Sequence, residues 1–542
     1  MSNENDDPTG GRKEAFDRAG AQDREAKERA HRSRRGGRRT QLSVASTGPG
    51  FVQRPWSVMA NFMPPVKFIS DDEVESIHQA GLRILKEIGL KFTDPKARAV
   101  LKGIGCDVNE STEQVKFDPA LVEEYMALAP HDWVMEARNP AHNLPIGGNV
   151  ITYSTTGGPA FVSDLERGRR MGTMKDLEEF IKMFQVMNVV HRGGIGFSPN
   201  DIPAPIRHLV TNQALITMTD KTLPGGGWGR ERQIDSIDMA CITMGIKRED
   251  LNTSGRVLCM GGCNVNSPLL FDTTQTENIM TLAEHGQASI VTPFTLAGSM
   301  APITLAGAIA QQHAEALSGI VLVEATRPGA PVAYGAFTTN VDMQSGAPAF
   351  GTPEYAKTNI ISGQMARRIG VPYRSSSTNT SNAPDSQAAY ESMMSLWGDI
   401  LGHCNIVAHG AGWMEGGLTC SYEKFVMDCE MLQMMNAFME PISLGEDDFA
   451  IRSVEEVGPG GNFFTNPHTL ARYKSEFYSP LLSDWRNYES FEEAGSVWTA
   501  PRANGLWKKM VKAYEAPPLD EAIRDELADF VERRKQQIQQ AA

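Results

Sequence analysis

The stretch Gln287-Ala-Ser-Ile-Val-Thr-Pro-Phe-Thr-Leu-Ala-Gly-Ser-Met-Ala-Pro-Ile-Thr-Leu-Ala-Gly-Ala-Ile-Ala-Gln-Gln-His313 contains no Asp, Glu, Lys or Arg. It is long enough for a membrane span, but Pro293 and Pro302 interrupt it, and Thr292, Thr295, Ser299 and Thr304 stud it with hydroxyls. A spanning helix needs about twenty predominantly apolar residues in a row. The stretch therefore reads as a buried strand over 288–292, a loop, and the start of a helix. That is one βα unit, so the fold depends on how often the unit recurs.

From about residue 150 the sequence repeats it eight times. Strand candidates are 150–154, 189–196, 222–227, 256–261, 288–292, 331–336, 373–378 and 405–410. Helices are expected at 174–187, 275–285, 354–368, 388–401 and 422–435, with caps at Thr173 before Asp176, Thr274 before Glu277, and Thr352 before Pro353. Strands alternating with helices give parallel, right-handed crossovers. Eight such units in roughly 290 residues fit a closed barrel better than an open sheet. No Gly-x-Gly-x-x-Gly follows the first strand, which weighs against a dinucleotide fold.

The expected fold class is α/β: a (β/α)₈ TIM barrel over 146–440. An N-terminal helical extension over 51–145 precedes it, and a C-terminal helical segment over 441–542 packs on it. In the extension Ser70 and Glu73 form a capping box, Val74, Ile77, Ile84, Leu85 and Ile88 follow at helical spacing, and Gly89 ends the helix. Residues 1–50 are polar, carry the run Arg32-Ser-Arg-Arg-Gly-Gly-Arg-Arg39, and read as a flexible tail.

A net charge of −14 argues against nucleic acid as a partner, because phosphate contacts need a basic face. Seven scattered cysteines do not suggest a disulfide framework, and the first forty residues lack an apolar signal region, so the expected setting is a reducing cytoplasm without a membrane. A homo-oligomer is expected at this size.

In such barrels chemistry sits where strands run into the following loops. Six of the eight junctions contain glycine. Gly157, Gly158, Gly226, Gly261 and Gly412 are candidates for close backbone approach by a large flat cofactor, tight turns being the equal alternative. Aromatics recur there too: Tyr153, Phe197, Trp228, Phe294, Phe337 and Trp413. A set of ring faces is how proteins hold a quaternary ammonium, although each ring alone is as well explained by packing. The charged groups at the mouth are few: Arg192, Arg374, His409 and Glu415. No His-x-His, His-Glu-x-x-His, nucleophile elbow or P-loop is present, and no metal site is expected. A mouth this poor in acids and bases suits a reaction that needs little proton transfer.

Several segments together are specific. Arg34-Arg-Gly-Gly-Arg-Arg39, His78-Gln-Ala-Gly-Leu-Arg-Ile-Leu-Lys-Glu-Ile-Gly89, residues 153–164 and 375–392, and Gly458-Pro-Gly-Gly461 with His468-Thr469 resemble the trimethylamine methyltransferase (MttB) family. The resemblance implies a barrel that demethylates a methylated amine and passes the methyl group to the Co(I) of a separate corrinoid protein. It also implies pyrrolysine in a late loop of the trimethylamine enzymes. The matching loop here, 375–384, holds only ordinary residues, with Asn382 as the candidate equivalent.

Members lacking pyrrolysine resemble glycine betaine methyltransferase, which acts on a quaternary amine. A quaternary ammonium departs as a neutral tertiary amine and needs no general acid. The expected catalytic residues are Glu415, His409 and Asn382, with Glu415 helping to hold the cation. Tyr153, Phe197, Trp228, Phe337 and Trp413 would bind substrate, and Arg192 or Arg374 would take a carboxylate. No Asp-x-His-x-x-Gly signature is present, so the cobalamin is expected on a partner protein rather than tightly bound here. Two alternatives stay open: a barrel lyase or transferase acting on small anions, and a betaine-binding barrel without turnover.

Overall fold

The computed structural model describes residues 51–193, 196–223 and 225–541; the N-terminal Arg-rich run lies outside them. The fold is α/β around a parallel sheet. Six strands pair continuously: β1 (Val150–Thr155), β2 (Met260–Val265), β3 (Ala288–Pro293), β4 (Val332–Gly335), β5 (Tyr373–Ser376) and β6 (Ile406–Ala411). Their order is β1-β6-β5-β4-β3-β2, each parallel to the next, and the short strand Met59–Ala60 adds antiparallel on the other side of β1. Eight helices follow the expected strand positions: α1 (Met174–Val186), α2 (Arg207–Met218), α3 (Arg230–Met244), α4 (Thr273–Glu284), α5 (Leu305–Thr326), α6 (Pro353–Ile369), α7 (Ser386–Leu401) and α8 (Tyr422–Phe438).

The uncharged stretch from Gln287 to His313 becomes β3, its loop and the first turns of α5. Every residue of β3 is buried, and Pro293 ends it where no further ladder N–H is needed. In α5 every residue from Ala308 to Glu324 is buried. The sheet lies on one side of α5 and the extension helix Asp71–Arg83 on the other, so close that a Cβ on Gly81 would stand 3.0 Å from His313. A helix enclosed all round needs no charged face towards solvent, which is why the stretch carries no charge although it is a strand, a loop and a helix. Each Leu, Ile or Val so buried contributes about 1.5–3 kcal/mol relative to exposure. Among the described residues no helix is long and apolar enough to cross a membrane.

The caps at Ser70, Thr173 and Thr352 form as expected. At α4 the cap is Asp272 instead of Thr274: its carboxylate accepts from Gln275 N at 2.9 Å, so the helix starts earlier.

Two expected strands differ. Residues around 192 join β1 by one parallel bridge, Ser154 with Arg192, in which Thr155 N donates to Arg192 O at 3.0 Å. Residue 222 bridges to Ala137 instead of to a neighbouring strand, and Val257 bridges to Met135. Both partners belong to the chain that makes the hairpin Asp132–Met135 with Leu144–Gly147. The run Gly225-Gly226-Gly227 has no side chains to pack as a strand. It passes so near β2 that a Cβ on Gly225 would lie 2.3 Å from Met260 O.

Beyond α8, the helix Thr499–Ala513 docks on α8, where Trp507 Nε1 donates to Glu423 at 3.1 Å. Leu527, Phe530 and Val531 of the terminal helix Glu521–Ala541 pack with Leu209, Ile216 and Ile237 of α2 and α3. Val457–Phe477 groups apart, as part of a second compact unit whose helix Pro467–Arg472 is capped by Asn466.

Candidate active site

Alternation along the strands decides which side chains reach the mouth. Arg374 of β5 pairs with Ile406 of β6, and Ile406 packs with Met260, Ala288, Ile290 and Ala333 in the inner cluster. Arg374 therefore rises from the inner face. Tyr153 takes the opposite side of β1: it is fully buried, stacks on His191 at 5.6 Å, and donates its hydroxyl to Met59 Sδ at 3.3 Å. It lines neither the hollow nor the aromatic cluster described below. The strand's period of two puts Ser154, not its neighbour, inward.

The remaining candidates gather in two groups. The first borders an open hollow of about 270 Å³ lined by Gly157, Gly158, Arg192, Phe197, Gly226, Trp228, Gly261, Gly262 and their neighbours. Trp228 is 51% exposed on its rim. Gly157, Gly158 and Gly262 present bare backbone, with nothing within 4 Å of where a Cβ would stand. Gly261 lacks a side chain for another reason, since a Cβ would meet Leu282 at 2.8 Å. Gly412 has its N–H turned to Asp428 at 2.8 Å. Phe197 is fully buried and meets Phe180 edge-on at 5.7 Å.

The second group is an aromatic cluster at the ends of β3, β4 and β6. Phe337 lies 5.1 Å from Phe294, 5.0 Å from Phe350 and 6.1 Å from Trp413, and Tyr355 closes the cluster from α6. Phe350 and Tyr355 were not expected; they flank the Thr352-Pro353 cap, which reads in sequence only as a helix start. The Arg374 guanidinium stands 5.5 Å from the Phe337 ring centre, and the His409 ring 4.3 Å from that of Trp413. A bulge between Val407 and Ala411, with His409 at φ +56°, re-aims this histidine out of the strand pattern.

The electrostatics are one-sided. Arg192 Nη2 donates to Met260 O at 2.9 Å, while its Nε and the Nη1 of Arg374 have no hydrogen-bond partner among the described residues. Desolvation and the neighbouring Arg374 charge lower Arg192 to about 10, so it stays charged at neutral pH. Desolvation likewise lowers Arg374. His409, whose Nδ1 lies 3.1 Å from Ser376 Oγ, is held well below the ordinary histidine range by desolvation and then by the charges of Arg374 and Arg192. It is neutral. A carboxyl group whose charge reaches Arg374, Asp399 behind β5, is pushed by burial up to about 8 and is therefore mostly protonated at pH 7. Two guanidinium charges, Arg374 buried and Arg192 half-buried on the hollow, thus stand without a counter-ion among the described residues, an arrangement that favours a bound anion.

Glu415 does not sit free beside this cluster. Arg169 Nε pairs with its carboxylate at 2.7 Å, because the turn after Trp413 folds back on the hairpin that carries Arg169. Asn382 is exposed, three residues beyond the fully buried Asn379. Among the described residues no group of His, Cys, Asp and Glu could hold a metal ion.

The family model for trimethylamine methyltransferase matches residues 34–539. Glycine betaine methyltransferase of Desulfitobacterium hafniense (strain Y51) is 36% identical over 482 residues, covering 89% of this chain and 99% of the relative. Trimethylamine methyltransferase MttB of Methanosarcina barkeri is 27% identical over 487 residues, 86% of this chain and 95% of the relative. Among solved structures, the monomethylamine methyltransferase MtmB of Methanosarcina barkeri superposes with a TM-score of 0.51 at 10% identity, over 87% of this chain and 89% of that one. The resemblance read from the motifs is thus borne out along nearly the whole sequence, and the chain belongs to the trimethylamine methyltransferase (MttB) family.

Proposed function

We propose that this methyltransferase takes a methyl group from a quaternary amine bearing a carboxylate, of the glycine betaine type, and delivers it to a corrinoid carried by a partner protein. The observation that carries the reading is the buried guanidinium of Arg374, 5.5 Å from the ring of Phe337, which meets Trp413 at 6.1 Å, with the charge of Arg192 close enough to add to its own. A carboxylate seated on Arg374 brings its own ammonium group to those rings. The anion is met by charge-assisted hydrogen bonds and the cation by aromatic faces. Neutral His409 adds no repelling charge. Six paired parallel strands and eight helices, with the glycine segment 225–227 lying against Met260 where an expected strand would stand, support a barrel over 146–440, with 51–145 as an extension and 441–542 following.

The bare backbone at Gly157, Gly158 and Gly262 suits the close approach of a flat macrocycle from outside. When presented there, the corrinoid would supply the nucleophilic cobalt. This chain's residues orient the substrate, exclude water from the ammonium and present one methyl to the opening, and no group has to donate a proton to the neutral amine that leaves.

The test is turnover of glycine betaine with a reduced corrinoid acceptor protein. Trp413→Ala and Phe337→Ala should each raise KM for betaine by about tenfold. Trp228→Ala, on the rim, should instead raise KM for the acceptor protein. Wild-type betaine KM in both cluster variants would remove the reading.

A further inference from the structure

Trp413 is held from two directions by one residue. Its indole Nε1 donates to the backbone carbonyl of Asn379 at 3.1 Å, and its own carbonyl accepts from Asn379 Nδ2 at 2.6 Å. Asn379 is fully buried in the loop after β5, and its backbone carbonyl also takes Gly416 N at 3.2 Å. The support continues behind it. Asn379 Nδ2 is 3.3 Å from Ser392 Oγ on α7, and Ser392 Oγ accepts from Lys424 Nζ on α8 at 2.9 Å. Lys424 pairs with Asp428, and Asp428 accepts from Gly412 N, the residue before Trp413, at 2.8 Å. The hydrogen bonds therefore close a ring: Trp413, Asn379, Ser392, Lys424, Asp428, Gly412.

We propose that Asn379 is a positioning residue that fixes the Trp413 indole for the substrate's cation; this rests on the reading of the aromatic cluster given above. A ring face attracts a cation only along its normal, so a swinging indole loses most of the interaction. The side-chain amide of Asn379 holds the Trp413 main chain and, through that contact, keeps the loop's own carbonyl in register with the indole N–H, which fixes the indole's tilt as well as its place. The ring behind it is buried and charged at Lys424, so the loop cannot shift without leaving polar groups unpaired in the interior. Four segments of the fold, the loops after β5 and β6 and the helices α7 and α8, meet to hold one side chain.

The experiment is calorimetric titration of the full-length protein with glycine betaine, for Asn379→Ala, Trp413→Ala and the double variant. Asn379→Ala is expected to raise Kd about fivefold to tenfold, and to add less than about twofold once Trp413 is already alanine. If Trp413→Ala binds as wild type, the aromatic reading itself fails and the inference goes with it. If Trp413→Ala is weak but Asn379→Ala binds as wild type, the inference alone falls. Equal losses in both backgrounds would also overturn it, since they would mean a loop-wide disturbance. Should Asn379→Ala not fold, Ser392→Ala removes the brace behind Asn379 and one acceptor of Lys424, whose pairing with Asp428 remains. It is expected to raise Kd about threefold, and only when Trp413 is present; no change there would overturn the proposal.

Discussion

Replacing Arg374 with leucine is expected to lower kcat/KM for glycine betaine by roughly 10²- to 10³-fold while making the protein more stable. Both effects have one cause. In the free protein the guanidinium is buried, one of its nitrogens is unpartnered, and Arg192 adds a like charge. Replacing even paired buried charges by apolar side chains of similar volume is often neutral or stabilising by about 1–4 kcal/mol, and an uncompensated charge carries the desolvation cost without the pairing. With betaine bound, the same charge meets a carboxylate in a site shielded from water, and truncating one partner of such a pair costs about 2–5 kcal/mol.

Tetramethylammonium has the cation without the carboxylate, and its affinity should stay unchanged or improve in Arg374→Leu. Thermal unfolding and titration with both ligands check this together. A lowered melting temperature would mean that Arg374 has a structural partner. Equal losses for both ligands would mean that the guanidinium serves the aromatic wall and not an anion.

The sequence made the βα repeat readable because its signals are local. A hydroxyl before an acidic residue three positions on, a proline at the first turn and a short apolar run each act within one helical turn or one strand. Ser70, Thr173 and Thr352 cap where their own spacing places them. Asp272 displaces Thr274 because two capping residues compete within one short loop, and which one wins depends on where β2 releases the chain.

The site was readable as a list of residue types but not as a geometry. Tyr153 and Ser154 are neighbours in sequence and opposites across the sheet, and only the register with β6 says which looks inward. His409 breaks its strand's alternation through a bulge that nothing in its own sequence marks. Phe350 and Tyr355 reach the cluster from the loop before α6 and the start of that helix, so long-range packing alone brings them there. Trp228, grouped with Trp413 by its place after an expected strand, faces solvent on the rim of the glycine-lined hollow, away from the aromatic cluster. Asn379 and Asn382 sit in one polar run, yet one is buried against Trp413 and the other is exposed.

Asp399→Asn should separate the charge balance of this site from its shape. Asp399 lies on α7, fully buried, with Asn359 Nδ2 donating to its Oδ1 at 3.0 Å. Burial raises its pKa from 3.8 to about 8, so between those values the folded protein keeps a proton that the unfolded chain has lost. A raised acid of this kind contributes stability that is complete below the unfolded pKa and is lost as pH rises through the folded one.

Wild type should therefore match Asp399→Asn near pH 4, fall behind as pH rises, and be less stable by on the order of 4 kcal/mol at pH 7. Function should show the same titration from the other side. Above pH 8 the ionised carboxylate would begin to offset the charge of Arg374, and betaine affinity in wild type should weaken there, before Arg192 titrates near 10. In Asp399→Asn that alkaline loss should be absent up to about pH 9. Denaturant unfolding and betaine titration across pH 4–9 measure both. If the two proteins differ by the same stability at every pH, Asp399 is ionised in the fold after all, and Arg374 already has its counter-ion.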